Sequence, residues 1–150
     1  MIVAATDTSA VTNDWAMAEV IKHPRVLKKI QEELDIVVGS GRMVSESDLI
    51  HLKPERHLPN DDITRVEISH GPDFKILPFS AGKRKCSGAP LGVKLVLMAL
   101  ARLFHCYDWS PPDGVRHEDI GTNEVYGMTM PKATPLMAVA KPRLPAHLYH

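Results

Sequence analysis

The sequence predicts a mainly α fold with a small β component. Two stretches, Ile2 to Val38 and Pro90 to His105, repeat apolar residues every three or four positions, the period of a helix face. Beyond Cys106 the pattern changes to short β-like runs cut by proline and glycine, as expected of a small hairpin sheet.

The first helix is expected over Ile2 to Lys22, where neither proline nor glycine occurs. Val3, Val11, Trp15, Ala18 and Ile21 recur at helical intervals, although Thr6, Thr8, Ser9 and Thr12 lower the propensity. His23-Pro24 ends it, and Pro24 suits the first turn of a second helix whose stripe is Val26, Leu27, Ile30, Leu34, Val37 and Val38. Lys28, Lys29, Gln31, Glu32 and Asp35 read as its solvated face. Gly39 and Gly41 stop this helix, and Ser45-Glu46-Ser47-Asp48 has capping-box spacing for a short turn reaching Leu52. Lys53 to Asp73 follows no period and reads as loop, with a short strand predicted at Arg65 to Ile68. Pro90 to His105 is apolar nearly all round, so a buried helix is expected. Tyr107 to Ser110, Tyr126 to Met130 and Leu136 to Ala140 are the β-like runs.

Composition narrows the function classes. Eighteen basic and 18 acidic residues give a net charge of +0, so no long-range field attracts nucleic acid. The 150 residues, 44% hydrophobic with 12 prolines, allow one domain or part of one. Cys86 and Cys106 are too few for a disulfide framework and lack the spacing of a zinc pair. The most apolar run, Val93 to Phe104, is interrupted by Lys94 and Arg102 and falls short of the about 18 apolar residues of a membrane span. Met1 to Ala5 lack the basic start of a signal peptide.

The chemistry gathers in Phe79-Ser80-Ala81-Gly82-Lys83-Arg84-Lys85-Cys86-Ser87-Gly88, a glycine-punctuated loop before the helix opened by Pro90. The positive end of that helix and the neighbouring Lys83, Arg84 and Lys85 favour a thiolate at Cys86, a soft anionic ligand suited to ferric haem. Gly82 and Gly88 permit a sharp turn and close approach to a flat macrocycle, and Phe79 is placed to shield the sulfur. The plainer alternative is that Cys86 is a small buried side chain.

These residues match Phe-x-x-Gly-x-Arg-x-Cys-x-Gly without a gap, and the chain thereby resembles the cytochrome P450 family. The resemblance implies that Cys86 is the axial iron ligand of haem b, that Arg84 pairs with a haem propionate, and that Phe79, Gly82 and Gly88 shape the loop. Ala4-Ala5-Thr6-Asp7-Thr8-Ser9 is similar to the oxygen-binding groove of the family's central helix, with Ala5 in place of the usual glycine. An acid beside an alcohol fits proton delivery in a pocket closed to bulk water, which makes Asp7 and Thr8 the relay candidates. Alone, the same residues fit a capping or solvated polar turn. Pro54-Glu55-Arg56-His57 resembles the family's Pro-Glu-Arg-Phe segment. The tail, Phe104 to Trp109 followed by Tyr126 to Pro131, resembles plant microsomal members and among them the in-chain fatty-acid hydroxylase group. Cys106 reads as core packing.

The expected architecture is therefore a single partial cytochrome P450 domain over residues 1–150: the second half of the central helix, the following helix, the haem loop with its buried helix, and C-terminal hairpins. Intact members carry several dozen residues between the counterparts of Leu52 and Pro54, so a deletion junction is expected near 52–54. That stretch carries a Glu-x-x-Arg motif, which this sequence supplies nowhere. In the family its Glu and Arg join the counterpart of Arg56 in a buried ion network, and breaking such a network costs about 3–5 kcal/mol.

By resemblance the parent activity is haem-thiolate monooxygenation, an oxidoreductase reaction in which a lipophilic substrate, with medium-chain fatty acids the candidates, is hydroxylated. Electrons come from NADPH through a cytochrome P450 reductase, at the cytosolic face of the endoplasmic reticulum membrane. This chain, read as lacking the anchor, is expected in the cytosol and inactive by itself. The alternative is a non-catalytic helical fragment that binds haem or a partner.

Overall fold

A computed structural model describes residues 2–52, 79–80 and 82–149. Three helices, α1 (Ile2–Lys22), α2 (Pro24–Val37) and α3 (Ala89–Cys106), precede a two-stranded sheet of β1 (Tyr107–Ser110) and β2 (Val139–Pro142). Short 3-10 turns occupy Glu46–Asp48, Gly82–Arg84, His117–Asp119 and Ala146–Tyr149. The mainly α fold with a small β component is thus observed. The expected loop from Lys53 to Asp73 and the strand at Arg65 to Ile68 lie outside the described residues.

Local sequence accounts for each helix boundary. The α1 ladder ends where Pro24 has no N–H to give, and proline then occupies the start of α2, where its fixed φ suits a first turn. Past α2, Gly39 turns the chain with φ +75°, a conformation that a Cβ disfavours. The following turn is built around Asp48. Its carboxylate accepts hydrogen bonds from the Ser45 N–H (2.8 Å) and hydroxyl (2.8 Å) and from both ends of the Arg42 guanidinium (2.7 and 2.8 Å). The predicted capping-box spacing therefore makes a real contact, and Arg42 adds a bidentate partner.

The core forms where the helices converge. Met17, Ala18 and Ile21 of α1 meet Leu27 and Leu34 of α2 and Ala101 and Phe104 of α3, closed by Val38, Val44 and Ile120. The expectation that α3 is buried along its length is corrected. Ala101, Phe104, His105 and Cys106 are buried, but Leu91 is 61% and Leu95 51% exposed. The reason is geometric, because the described core gathers the C-terminal half of α3, while the apolar side chains of its N-terminal half extend beyond it. With 18 residues and a mean hydropathy of 1.5, α3 is long and apolar enough to cross a membrane, more so than its interruptions suggest. In this fold those interruptions are anchored within the protein. Lys94 pairs with Glu46 at 2.8 Å, and Arg102 donates to the Val44 carbonyl at 3.2 Å.

The sheet also departs from expectation. β1 occupies Tyr107–Ser110 as predicted and pairs antiparallel with β2, Tyr107 opposite Pro142 and Ser110 opposite Val139. Of the predicted strand at Leu136 to Ala140, only Val139 and Ala140 enter the sheet, whereas Leu136 and Ala138 pack against the core. The register is set from a distance: the Arg143 N–H donates to the Cys106 carbonyl at 2.9 Å. Tyr126 to Met130 is not a strand. It is the tip of a loop closed by a Glu124–Lys132 bridge and a Val125 N–H to Pro131 carbonyl bond of 2.9 Å.

The end of α3 is held by residues whose sequence positions gave no warning. Its final carbonyls have no intrahelical partner. Gln31 Nε2 donates to the Tyr107 carbonyl (3.2 Å) and, more weakly, to that of Phe104 (3.4 Å). Arg143 donates to the Phe104 (3.3 Å) and His105 (3.2 Å) carbonyls while pairing with Asp35 (2.9 Å) and Asp108 (3.1 Å). Tyr149 donates its hydroxyl to the Cys106 carbonyl and accepts the Arg143 and Leu144 N–H groups. Gln31 and Asp35 are therefore not merely solvated surface, as the helix pattern suggested. Lys28 and Glu32, exposed and 4.0 Å apart, are.

Candidate functional site

The loop from Phe79 to Gly88 is closed by one backbone bond, from the Cys86 N–H to the Phe79 carbonyl at 2.9 Å. Inside it, Gly82–Arg84 makes a 3-10 turn and the Lys85 N–H donates to the Gly82 carbonyl at 3.1 Å. Phe79 (φ 62°), Ser80 (φ 63°) and Gly82 (φ 68°) are all left-handed. Glycine adopts that conformation freely, but for phenylalanine and serine it costs on the order of 1–3 kcal/mol each, the kind of strain that gathers at working sites.

Cys86 is exposed, which overturns its reading as a small buried side chain. It stands at the entry to α3, where the Ala89 N–H reaches the Cys86 carbonyl at 3.4 Å. Gly82 turns the chain with φ 68°, and Gly88, at φ −86° and ψ 0°, sits in the turn over Ser87-Gly88, a conformation that does not require glycine. A Cβ at Gly88 would lie 3.8 Å from the Cys86 sulfur, in van der Waals contact with it. The Phe79 ring extends toward the first turns of α3, its edge 3.9 Å from where a Cβ on Gly92 would stand. Lys83 and Arg84, three and two positions before Cys86 in the chain, are exposed. The structure thus brings Phe79, Gly82, Arg84, Cys86 and Gly88 together in one loop.

Asp7 and Thr8 stand on a different element, the N-terminal half of α1, and both are exposed. The Thr8 carbonyl accepts the Thr12 hydroxyl at 2.8 Å, in addition to its place in the helix ladder. Cys106, the second thiol, is buried with its sulfur 3.7 Å from that of Met43, and burial pushes its pKa up. That is the core packing expected of it. Pro54 to His57 lie outside the described residues.

Sequence reading missed the conformation of Phe79 and Ser80. Nothing in their side chains requires positive φ; the Phe79–Cys86 bond requires the chain to double back there. It also missed an apolar cavity of about 170 Å³ between α1, α2 and α3, lined by Val20, Leu34, Leu52, Leu100 and Phe104 among others.

Comparison with known proteins settles the ancestry. The sequence profile described as Cytochrome P450 matches residues 1–53 and 51–138 of the chain. The chain belongs to the cytochrome P450 family. Cytochrome P450 703A2 of Oryza sativa subsp. japonica is 56% identical over 212 aligned positions, covering 99% of this chain and 40% of that protein. Cytochrome P450 703A2 of Arabidopsis thaliana is 54% identical over 211 positions, covering 99% and 40%. A flavonoid 3'-monooxygenase of Arabidopsis thaliana is 33% identical, covering 99% and 41%. The chain thus spans about two fifths of the length of the curated relatives it matches.

Membership in the cytochrome P450 family implies a haem-thiolate cofactor, and the described loop fits one. Its thiol is exposed, no side chain at Gly88 covers the sulfur, and the cationic Lys83 and Arg84 are exposed in the same loop, as suits an anionic cofactor.

Proposed function

We propose that this chain carries the haem-ligand half of a plant monooxygenase, with Cys86 as the axial thiolate. The observation that carries this reading is the closed loop at Phe79–Gly88, which presents an exposed thiol at the head of α3 in a cytochrome P450 chain. Phe79 and Gly82 hold the loop's turns, Gly88 keeps the sulfur accessible, and Arg84 offers a guanidinium to a propionate. Haem bound there would supply the oxidising centre: with dioxygen, two electrons and two protons, one oxygen atom enters a C–H bond and the other leaves as water. Asp7 and Thr8 are the chain's own candidates for moving those protons. Electrons would come from NADPH through a reductase, and the substrate class is lipophilic, with medium-chain fatty acids the first to test. The intact protein would work at the endoplasmic reticulum membrane.

The two-part profile match supports a single domain interrupted near residues 52–54. Alignments of 211 and 212 positions exceed the chain's 150 residues, so the relatives carry a stretch with no counterpart here. That gap is internal and takes with it the family's partners for Arg56. By itself the chain is therefore expected to hold haem weakly and not to couple oxygen reduction to hydroxylation, because the haem face opposite Cys86 would lie open to water, which would release reduced oxygen before a C–H bond was attacked. The ferrous carbon-monoxide difference spectrum of haem-loaded chain tests the ligand. A thiolate-type Soret band in the native chain and its loss in Cys86→Ser are expected; survival of the band in Cys86→Ser would remove Cys86 from the site.

A further inference from the structure

The internal gap and the apolar cavity meet at the same place. The first part of the family match ends at residue 53, and Leu52, the last described residue before that end, lines the cavity of about 170 Å³ between α1, α2 and α3. A second, more open hollow of about 560 Å³ adjoins it; Leu49 and Leu97 line both, and Ile50 faces the outer one. Its rim carries the Glu46–Lys94 ion pair. The inner cavity is smaller than the roughly 300–1,000 Å³ of a small-molecule pocket, and among the described residues its lining is apolar apart from Glu33. An apolar trough with a charged rim suits anchor side chains set one after another along a peptide segment. Ile50 is 78% and Leu97 37% exposed, so the trough is open to receive them.

We propose that this trough is a docking groove for the polypeptide stretch that the relatives carry and this chain lacks, supplied in trans as an apolar-faced segment. The occupant follows from continuity: the groove begins at the point where the family match divides, and the relatives carry positions that have no counterpart in this chain. The proposal rests on the internal gap and not on haem, so loss of the Cys86 assignment leaves it standing.

The test titrates the full chain into a fluorescein-labelled recombinant peptide copying the stretch of the Oryza sativa relative that falls between the two matched parts. Anisotropy should rise to a 1:1 plateau, and a scrambled peptide should give none. Leu97→Asp and Ile50→Asp, both at exposed positions, should each weaken binding at least tenfold, with helix content unchanged by circular dichroism. Met128→Asp, at a position 99% exposed on the distant C-terminal loop, should bind as the native chain does. Binding no stronger than that of the scrambled peptide, or equal binding by Leu97→Asp, overturns the proposal. So does a chain that is dimeric by light scattering and becomes monomeric in Leu97→Asp, which would give the groove to a second copy instead.

Discussion

Removing the Arg143 side chain should destabilise the whole fold, because one guanidinium joins α2, the end of α3, and β1. In Arg143→Ala, the His105 carbonyl loses its described side-chain donor, whereas the Phe104 carbonyl keeps Gln31 at 3.4 Å. An orphaned, part-buried acceptor costs about 1–3 kcal/mol. The two ion pairs add less: Arg143 is 17% exposed, but Asp35 and Asp108 are 48% and 61% exposed. Screening then leaves each pair under about 1 kcal/mol. The expected loss is roughly 2–4 kcal/mol, which for a chain of this length lowers Tm by about 5–15 °C. Urea unfolding followed by circular dichroism measures it. Arg143→Lys should retain part of the ion pairing but not the simultaneous reach to carbonyl and carboxylates, and so should fall between the two. A loss below about 0.5 kcal/mol in Arg143→Ala would refute the view that this residue holds the α3 end.

Further outcomes follow from other sites. Arg42 and the Ser45 N–H and hydroxyl hold the Asp48 carboxyl well below the usual carboxylate range, so its stabilisation is fully present above the unfolded value of about 3.9. It is lost as pH falls through that value toward the folded one, and Asp48→Asn should flatten the acid limb of a stability–pH profile; an unchanged limb would show that Asp48 contributes nothing. Gly82→Val should weaken haem retention through backbone strain at φ 68°, read as lost Soret intensity, whereas Gly121→Ala, with nothing near its Cβ, should not. Tyr149→Phe should lower Tm because the Leu144 N–H loses its described acceptor, whereas the Arg143 N–H keeps the Cys106 carbonyl at 2.9 Å. Incubated with haem, reductase, NADPH and a medium-chain fatty acid, the chain should release at most peroxide; hydroxylated product in proportion to NADPH consumed, absent in Cys86→Ser, would show that the internal gap does not prevent coupling.

Much of the fold was legible because its signals are local. Pro24, Gly39 and Ser45 mark boundaries through their own backbone chemistry, and α1, α2 and α3 begin and end within a residue or so of where periodicity puts them. The Phe79–Gly88 loop was legible for another reason: a motif of fixed spacing specifies types at positions, and those residues do lie in one closed loop. What the sequence hid is non-local. The register of β2 depends on Arg143 meeting Cys106, and the capping of α3 on Gln31, 73 positions from Phe104. Periodicity could say that α3 is apolar on every side, but not that the described core gathers only its C-terminal half.

The bond from Trp15 Nε1 to the Met130 carbonyl, 3.1 Å long, joins positions 115 apart. During synthesis, α1 emerges well before α3, its main described packing neighbour, so the helix must wait with Met17 and Ile21 uncovered until α3 follows. Chains that rely on such distant closures fold slowly and expose apolar surface meanwhile. In a Trp109→Phe chain, Trp15 fluorescence should therefore report the final step, changing when the tail arrives and after the local helices have formed.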